Sequence, residues 1–251
     1  MAYDTLPTDV LKTVGCLLPD EALFVLRLVC RRFKCLFSSG VLNISYFCSS
    51  VDLLGWAVDQ GYELSAHTFM YAASKGNLEV MQWLKNRDCH WDARTFARAA
   101  YHGNLENMQW LRAQGCPFDE YTFTCAATRG NLENMKWLRA QGCGWHEDTF
   151  TGAAARGHLE VMKWLKSQKC PWRCTTFDHA ARCGNLENMK WLRAQGCPWG
   201  TFTGRSALEN GNVENLKWLK SQGYNFDTGF HFAVLSSNLE ADEWMLGNFP
   251  H

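Results

Sequence analysis

The chain lacks an excess of charge of either sign and a long apolar run. Its 25 Lys and Arg residues balance 25 Asp and Glu residues, so no net field favours nucleic acid or an anionic membrane. No run approaches the roughly 18–20 apolar residues that a membrane span requires. The acidic start, Met1-Ala2-Tyr3-Asp4, is unlike a signal peptide. These features predict a soluble, cytoplasmic protein.

Familiar catalytic motifs are also missing. The sequence has no Gly-x-Ser-x-Gly, no phosphate-binding Gly-rich loop with Lys and no His-Glu-x-x-His. Its eight His residues do not converge on one motif. We therefore expect no enzymatic activity and no cofactor.

What the chain does contain is an internal repeat. A constant string surrounds a Trp that recurs every 27 positions, and a last Trp follows one position early. Such a period indicates repeated supersecondary units that stack on their neighbours. The Trp residues are Trp56, Trp83, Trp110, Trp137, Trp164, Trp191, Trp218 and Trp244.

The repeats divide the chain into two predicted domains. Residues 1–37 do not repeat and form a small helical head, whereas 38–251 form the array. Because the first and last repeats depart from the common string, we expect them to be caps around six regular repeats, 65–226. The predicted repeats are 38–64, 65–91, 92–118, 119–145, 146–172, 173–199, 200–226 and 227–251.

Each regular repeat is predicted to hold two helices. In the repeat 119–145, Thr122 is expected to cap the first helix, and Gly130 to end it. Asn131 then caps a second helix, and Gly142 suits the left-handed residue that follows a helix. The fold class is therefore all-α.

Two aromatic columns follow from the repeat. The Trp column of the second helices, Trp83 through Trp218, is expected to lie in the core. A second column lies in the turn after that helix, and we expect it to join the repeats as a hydrophobic spine. Its members are Trp91, Phe118, Trp145, Trp172, Trp199 and Phe226.

Cysteine forms a third column, at Cys89, Cys116, Cys143, Cys170 and Cys197. Equivalent residues in stacked helices lie roughly 8–10 Å apart, too far for a disulfide, so buried free thiols are expected. Cys143 and His146, with Cys170 and Cys174 of the next repeat, supply four possible zinc ligands. Since Cys143 and Cys170 belong to the repeated cysteine column, we predict no metal.

The repeat resembles the ankyrin repeat. The family's T-P-L-H-x-A-A-x-x-G-H-x-E-V-V-x-L-L-L-x-x-G aligns with Thr122–Gly142 once one residue is dropped before the Ala pair, and without a gap from Gly130 on, with Trp137 in the place of a Leu. This resemblance implies a solenoid of about eight helix pairs that binds proteins on its concave face. The family repeat is about 33 residues long. The positions missing here fall where that repeat forms a β-hairpin, so we expect reduced fingers.

The head resembles the F-box. Leu6-Pro7-Thr8-Asp9-Val10-Leu11 and Val29-Cys30-Arg31-Arg32-Phe33 match the two ends of that family's pattern without a gap. The resemblance implies docking on the Skp-family linker of a cullin ubiquitin ligase. The alternative is an N-terminal cap of the array. The residues that would face the linker are Leu6, Pro7, Leu11, Val14, Leu18 and Leu23.

The variable positions of the repeat lie on its first helix and are the candidates for target binding. They include a row of cations that is expected to attract an acidic or phosphorylated segment of the partner. A solvated face balanced by glutamates of the second helices is the alternative. The predicted target-binding residues are Tyr71, Lys75, Arg98, His102, Arg129, Arg156, His179 and Arg182.

Together these features predict an adaptor, the substrate receptor of a Skp–cullin–F-box ubiquitin ligase. The alternative is a scaffold or decoy that binds a host or cellular protein without ubiquitin transfer. In its combination of an N-terminal F-box and a shortened ankyrin array, the chain resembles proteins of large DNA viruses of amoebae and their hosts. This resemblance implies that the protein acts in the host cytoplasm.

Overall fold

The computed structural model describes residues 44–59, 62–226 and 238–248. Within these ranges every regular element is an α-helix, and none is long and apolar enough to cross a membrane. The helices are α1 (Ile44–Phe47), α2 (Val51–Asp59), α3 (Ala66–Lys75), α4 (Leu78–Lys85), α5 (Ala93–His102), α6 (Leu105–Ala113), α7 (Glu120–Arg129), α8 (Leu132–Ala140), α9 (Thr149–Ala155), α10 (Leu159–Ser167), α11 (Thr175–Cys183), α12 (Leu186–Ala194), α13 (Thr203–Asn210), α14 (Val213–Ser221) and α15 (Leu239–Asn248).

The predicted helix pairs are confirmed in all six regular repeats. The first helices pack side by side, α3 against α5 in one part of the chain and α7, α9, α11 and α13 in succession in the other. Each second helix packs against the first helix of its own repeat. The two compact parts are Met1–Phe118 and Asp119–His251, so the chain divides at a predicted repeat boundary. The predicted boundary between residues 37 and 38 lies outside the described residues.

The first helix of the repeat 119–145 begins earlier than predicted. Asp119, and not Thr122, is its N-cap, and the Asp119 carboxylate accepts a hydrogen bond from the Thr122 backbone N–H at 3.0 Å. The Thr122 hydroxyl accepts in return from the Asp119 N–H at 3.4 Å. Thr122 is therefore the third residue of a reciprocal capping box, in which a Thr takes the usual place of Glu or Gln.

The predicted ends of both helices are confirmed. Gly130 and Gly142 each have a φ of +82°, a conformation that costs a residue with a Cβ atom roughly 1–2 kcal/mol. The Asn131 side chain accepts from the Asn134 N–H at 3.0 Å and caps the second helix. Asp88 and Lys169 adopt positive φ at positions equivalent to Gly142, which shows that the repeated turn requires this geometry.

The fully buried core consists of apolar residues that recur at equivalent positions of the first and second helices. A Phe and an Ala pair of the first helices from α3 to α11 are 0% exposed, as are Met135 and Leu138 of α8. The Trp column of the second helices is only half-buried, so its predicted place in the core is wrong. Trp164 and Trp218 instead stack on the buried Phe123 and Phe177 of the preceding repeat and leave part of each indole exposed. The Phe column is Phe69, Phe96, Phe123, Phe150 and Phe177.

The aromatic spine between repeats is confirmed. Phe177 of α11 meets Trp199 of the following turn edge-on at 4.8 Å between ring centroids. It also stacks on Trp218 of the next repeat at 6.5 Å, with 9° between the planes. The same arrangement joins Phe123 to Trp145 and Trp164. These aromatic contacts thus link the core of one repeat to the second helix of the next.

The cysteines of this column are buried and form no disulfide, as predicted. The thiols of Cys89, Cys116 and Cys143 donate to the carbonyls of Ser65, Asp92 and Asp119, which begin the same repeats. Burial raises the pKa of Cys116 and Cys197 to about 12, and that of Cys143 to about 11. These thiols connect the end of a repeat to its first residue, and they carry no negative charge at neutral pH.

We predict that thiol reagents distinguish this column from the exposed cysteines. A maleimide at neutral pH should modify Cys174, which is exposed, far faster than Cys116 or Cys197, because the thiolate is the nucleophile and must be accessible. Peptide mass mapping of the folded chain and of the chain in denaturant measures both rates. Equal modification of Cys174 and Cys197 in the folded chain would contradict this placement.

Candidate binding face on the first helices

The predicted linker-binding residues of the head lie outside the described residues. Leu6, Pro7, Leu11, Val14, Leu18 and Leu23 therefore stay sequence predictions. The candidate site that the structure describes is the exposed side of the first helices, which we call the first-helix face.

The predicted target-binding residues do lie on this face. Seven of them are exposed, and Tyr71 is half-buried. Tyr71, Lys75, Arg98 and His102 belong to the N-terminal part, and Arg129, Arg156, His179 and Arg182 to the C-terminal part. Their exposure agrees with the prediction, while their binding role remains a proposal.

In the N-terminal part, basic residues dominate the first-helix face. Lys75 ends α3, and Arg98 and His102 lie one turn apart on the neighbouring helix α5. The His102 ring meets the Tyr101 ring edge-on at 5.3 Å. Neither Lys75 nor Arg98 forms an ion pair within the described ranges. Their charges are therefore available to a partner.

In the C-terminal part, the middle of this face is nearly uncharged. The helix α9, with sequence TFTGAAA, carries no charged residue, and Arg156 follows it as the C-cap. Gly152 of α9 lies beneath the Thr128 side chain, and a Cβ atom there would overlap the Thr128 hydroxyl. The small residues of α9 thus allow α7 to approach it closely and leave Arg129 and Arg156 at the helix ends.

A cavity of about 260 Å³ lies between α11 and α13. The Phe202 ring forms an apolar wall and is 57% exposed. Two predicted residues, His179 and Arg182, line the same cavity. The remaining lining residues are Thr175, Asp178, Arg205 and Ser206.

The cavity has a buried carboxylate on one side. Asp178 is 4% exposed, and its Oδ1 accepts from the Thr203 hydroxyl at 2.5 Å. Its Oδ2 accepts from the Phe202 N–H at 3.2 Å. Gly200 permits this contact, since a Cβ atom there would overlap the carboxylate. Asp178 therefore ties α11 to the start of the next repeat and orients Phe202.

The two arginines around this cavity are paired with one glutamate. Glu209 of α13 pairs with Arg182 at 2.8 Å and with Arg205 at 2.8 Å. Two guanidinium groups thus share one carboxylate, and Asp178 adds a second negative group. Arg182, which the sequence places in the row of cations, is therefore ion-paired within the chain.

Three residues of this region were missed by sequence reasoning. Asp178 and Glu209 are the only acidic residues at their positions in the regular repeats, and Phe202 stands where an earlier repeat has another exposed aromatic residue, Tyr121. Asp178 stands where the preceding repeats have Met70, Ala97, Thr124 and Thr151. A comparison of each column for its outlier, and not only for its cations, would have found Asp178 and Glu209.

Metal binding finds no support in this part of the molecule. Within the described ranges, no group of three or more His, Cys, Asp or Glu side chains is placed to hold a metal ion.

Comparison with known proteins identifies the fold. The structure is similar to the ankyrin repeat domain of human ASB11, with a TM-score of 0.54 and 18% sequence identity. The match covers 71% of this chain and 96% of that one. No protein-family model and no curated protein matches the sequence.

The fold is thus an ankyrin-like solenoid of helix pairs, as the repeat predicted. Its repeats span 27 positions each and are joined, within the described ranges, by turns without strands. The predicted reduction of the hairpin fingers is therefore confirmed for these ranges.

Proposed function

We propose that this chain is a non-catalytic protein-interaction module that holds its partner on the first-helix face. The supporting observation is the contrast between a uniform frame and a variable face. The frame residues, such as Phe123, Phe150 and Phe177, recur unchanged and fully buried. The exposed positions between them change type from one repeat to the next.

This arrangement suits recognition of a macromolecule better than chemistry on a small molecule. The cavity between α11 and α13 is open on the surface, and its two arginines are both ion-paired with Glu209. Partners of repeat arrays meet an extended row of side chains, so each repeat contributes a few contacts to one large interface.

We further propose that the head docks on a Skp-family linker, which would make the protein a substrate receptor of a cullin ubiquitin ligase in the cytoplasm. The F-box-like string at 6–33 motivates this step. The receptor performs no bond chemistry: it raises the effective concentration of the partner's lysines beside the ubiquitin-loaded enzyme.

We predict that the full chain co-purifies with a Skp-family linker from a eukaryotic lysate, and that a Leu6→Ala/Pro7→Ala variant recovers at least about tenfold less. The reason is that a few residues of an interface account for most of its binding free energy, and Leu6 and Pro7 are two of the six residues proposed to face the linker. A Leu239→Ala/Leu246→Ala variant, which truncates two exposed leucines of α15, is the control and should recover as much linker as wild type.

Equal, low recovery of the linker by all three proteins would overturn the ligase proposal. The alternative is then a scaffold or decoy that binds a host or cellular protein. It leaves the partner's half-life unchanged when the proteasome is inhibited, whereas a ligase receptor shortens that half-life by a proteasome-dependent route.

A further inference from the structure

We infer that the partner is held through an acidic segment, bound by Tyr71, Lys75, Arg98 and His102, which we call the α3/α5 patch. The segment carries carboxylate or phosphate groups on an extended polypeptide. This inference rests on the proposed function and narrows it to one part of the face and one partner chemistry.

The patch is the most uniformly basic surface of the first-helix face. The helices α3 and α5, with sequences AHTFMYAASK and ARTFARAAYH, contain no Asp or Glu. Together they carry Lys75, Arg94 and Arg98, together with His67 and His102. The other first helices each carry an acidic residue, except α9, which has no charged residue at all.

Ion pairing separates Lys75 and Arg98 from Arg94 and from the cations of α11 and α13. Arg182 and Arg205 are bound to Glu209, and Arg94 is bound at 2.6 Å to Asp92, the N-cap of α5. Lys75 and Arg98 have no such partner within the described ranges, and both are exposed. A ligand anion can therefore bind them without first breaking an internal ion pair.

The spacing of the basic side chains suits an extended chain. Arg98 and His102 lie four positions apart on α5, which places them about 6 Å apart along the helix. Side chains on one face of an extended polypeptide lie roughly 6.5–7 Å apart. A segment with acidic residues at alternate positions can thus place one anion opposite each basic residue, while Tyr71 of α3 offers a phenol donor beside them.

A polypeptide fits this surface better than nucleic acid does. The patch spans only two helices, and the second helices packed against them, α4 and α6, present the exposed Glu79 and Glu106 in their first turns. A continuous polyanion that extends beyond the patch meets these like charges, whereas a short acidic segment does not. The balanced net charge of the chain adds no long-range attraction for a nucleic acid.

The test is fluorescence anisotropy with three labelled peptides and the full-length chain. One peptide alternates Glu with Ser, the second alternates phosphoserine with Ala, and the third replaces every Glu of the first with Gln. We expect the first two to bind, with an affinity that falls as salt is added, and the Gln peptide not to bind. The ratio of the two affinities tells whether carboxylate or phosphate is preferred.

A matched pair of variants locates the binding. Lys75→Glu/Arg98→Glu reverses two charges of the patch, and Lys136→Glu/Lys190→Glu reverses two exposed charges on the second helices α8 and α12. Both change the net charge equally. We expect the first to weaken acidic-peptide binding by about tenfold or more, since attraction becomes repulsion, and the second to change it less than about twofold.

Equal losses in both variants, or binding of the Gln peptide, would overturn the inference. It also fails if a single-stranded oligonucleotide binds the patch more tightly than either acidic peptide. A natural partner that is captured equally by wild type and Lys75→Glu/Arg98→Glu, but lost when His179 and Phe202 are changed to Ala, refutes the α3/α5 patch and leaves the proposed function standing.

Discussion

Replacing Phe177 with Ala is expected to lower the free energy of unfolding by about 3–5 kcal/mol. The ring is 0% exposed, and it meets Trp199 of the following turn and Trp218 of the next repeat. Its removal opens a cavity and takes away two aromatic contacts, each about 0.5–1.5 kcal/mol beyond the buried area. Because repeats are stabilised by their neighbours, the loss affects both sides of the junction.

Urea unfolding followed by circular dichroism and by Trp fluorescence measures this effect. Phe202→Ala is the matched control, since it removes the same ring from a position that is 57% exposed. We expect the control to change the free energy of unfolding by less than about 0.5 kcal/mol. If the two substitutions cost the same, the stacking of these repeats on the Phe column is incorrect.

Replacing Asp178 with Ala is expected to lower the free energy of unfolding by about 2 kcal/mol. The Asp178 carboxylate accepts from the Thr203 hydroxyl and the Phe202 N–H, and hydrogen bonds to a charged group contribute roughly 1.5–3 kcal/mol. Ala removes the desolvation cost of the carboxylate but leaves both donors without their acceptor. The substitution destabilises the junction between α11 and α13, the same junction that forms the cavity.

A double-mutant cycle isolates the hydrogen bond between Asp178 and Thr203 from the other effects of each substitution. The same cycle on Thr151 and Thr176, whose hydroxyls lie 3.0 Å apart at the equivalent junction, is the control. We expect a coupling energy of about 2 kcal/mol for the charged pair and about 1 kcal/mol or less for the neutral pair. Equal couplings would show that the carboxylate has no special part in the junction.

The helix pairs could be predicted because their signals are local and repeated. Gly130, Asn131 and Gly142 each have a conformational or capping reason for their position, and similar residue types recur one repeat earlier or later. A pattern repeated six times is far stronger evidence for a helix pair than any single copy. The solenoid followed because one helix pair has no other surface against which to bury its apolar side.

The details that were not predicted depend on partners outside the local pattern. The Trp column follows helical periodicity, but its side chains are only half-buried, and Trp164 and Trp218 stack on Phe residues of the preceding repeat. Thr122 is a good capping residue, yet Asp119 lies earlier in the chain and takes the cap. Sequence alone does not decide between two capping residues so close together.

The exposure of the candidate face could be predicted from the sequence, but the pairing of its charges could not. The predicted target-binding residues are exposed, except Tyr71, which is half-buried. Whether a cation there is available to a partner depends on residues of the next repeat, such as Glu209, which pairs with Arg182 from one repeat further along the chain. No motif records that pairing, so the sequence could not separate Arg182 from Lys75 and Arg98.

The side of the helix pairs that the partner occupies decides whether the first-helix face is the binding site. A photo-crosslinking amino acid placed at Tyr71 or Phe202 samples the first-helix face, and one placed at Gln109 or Lys190, both exposed, samples the second helices. After irradiation in cells, we expect a partner to be crosslinked from Tyr71, from Phe202 or from both, and not from the other two positions. A partner crosslinked from Gln109 or Lys190 alone would contradict binding on the first-helix face.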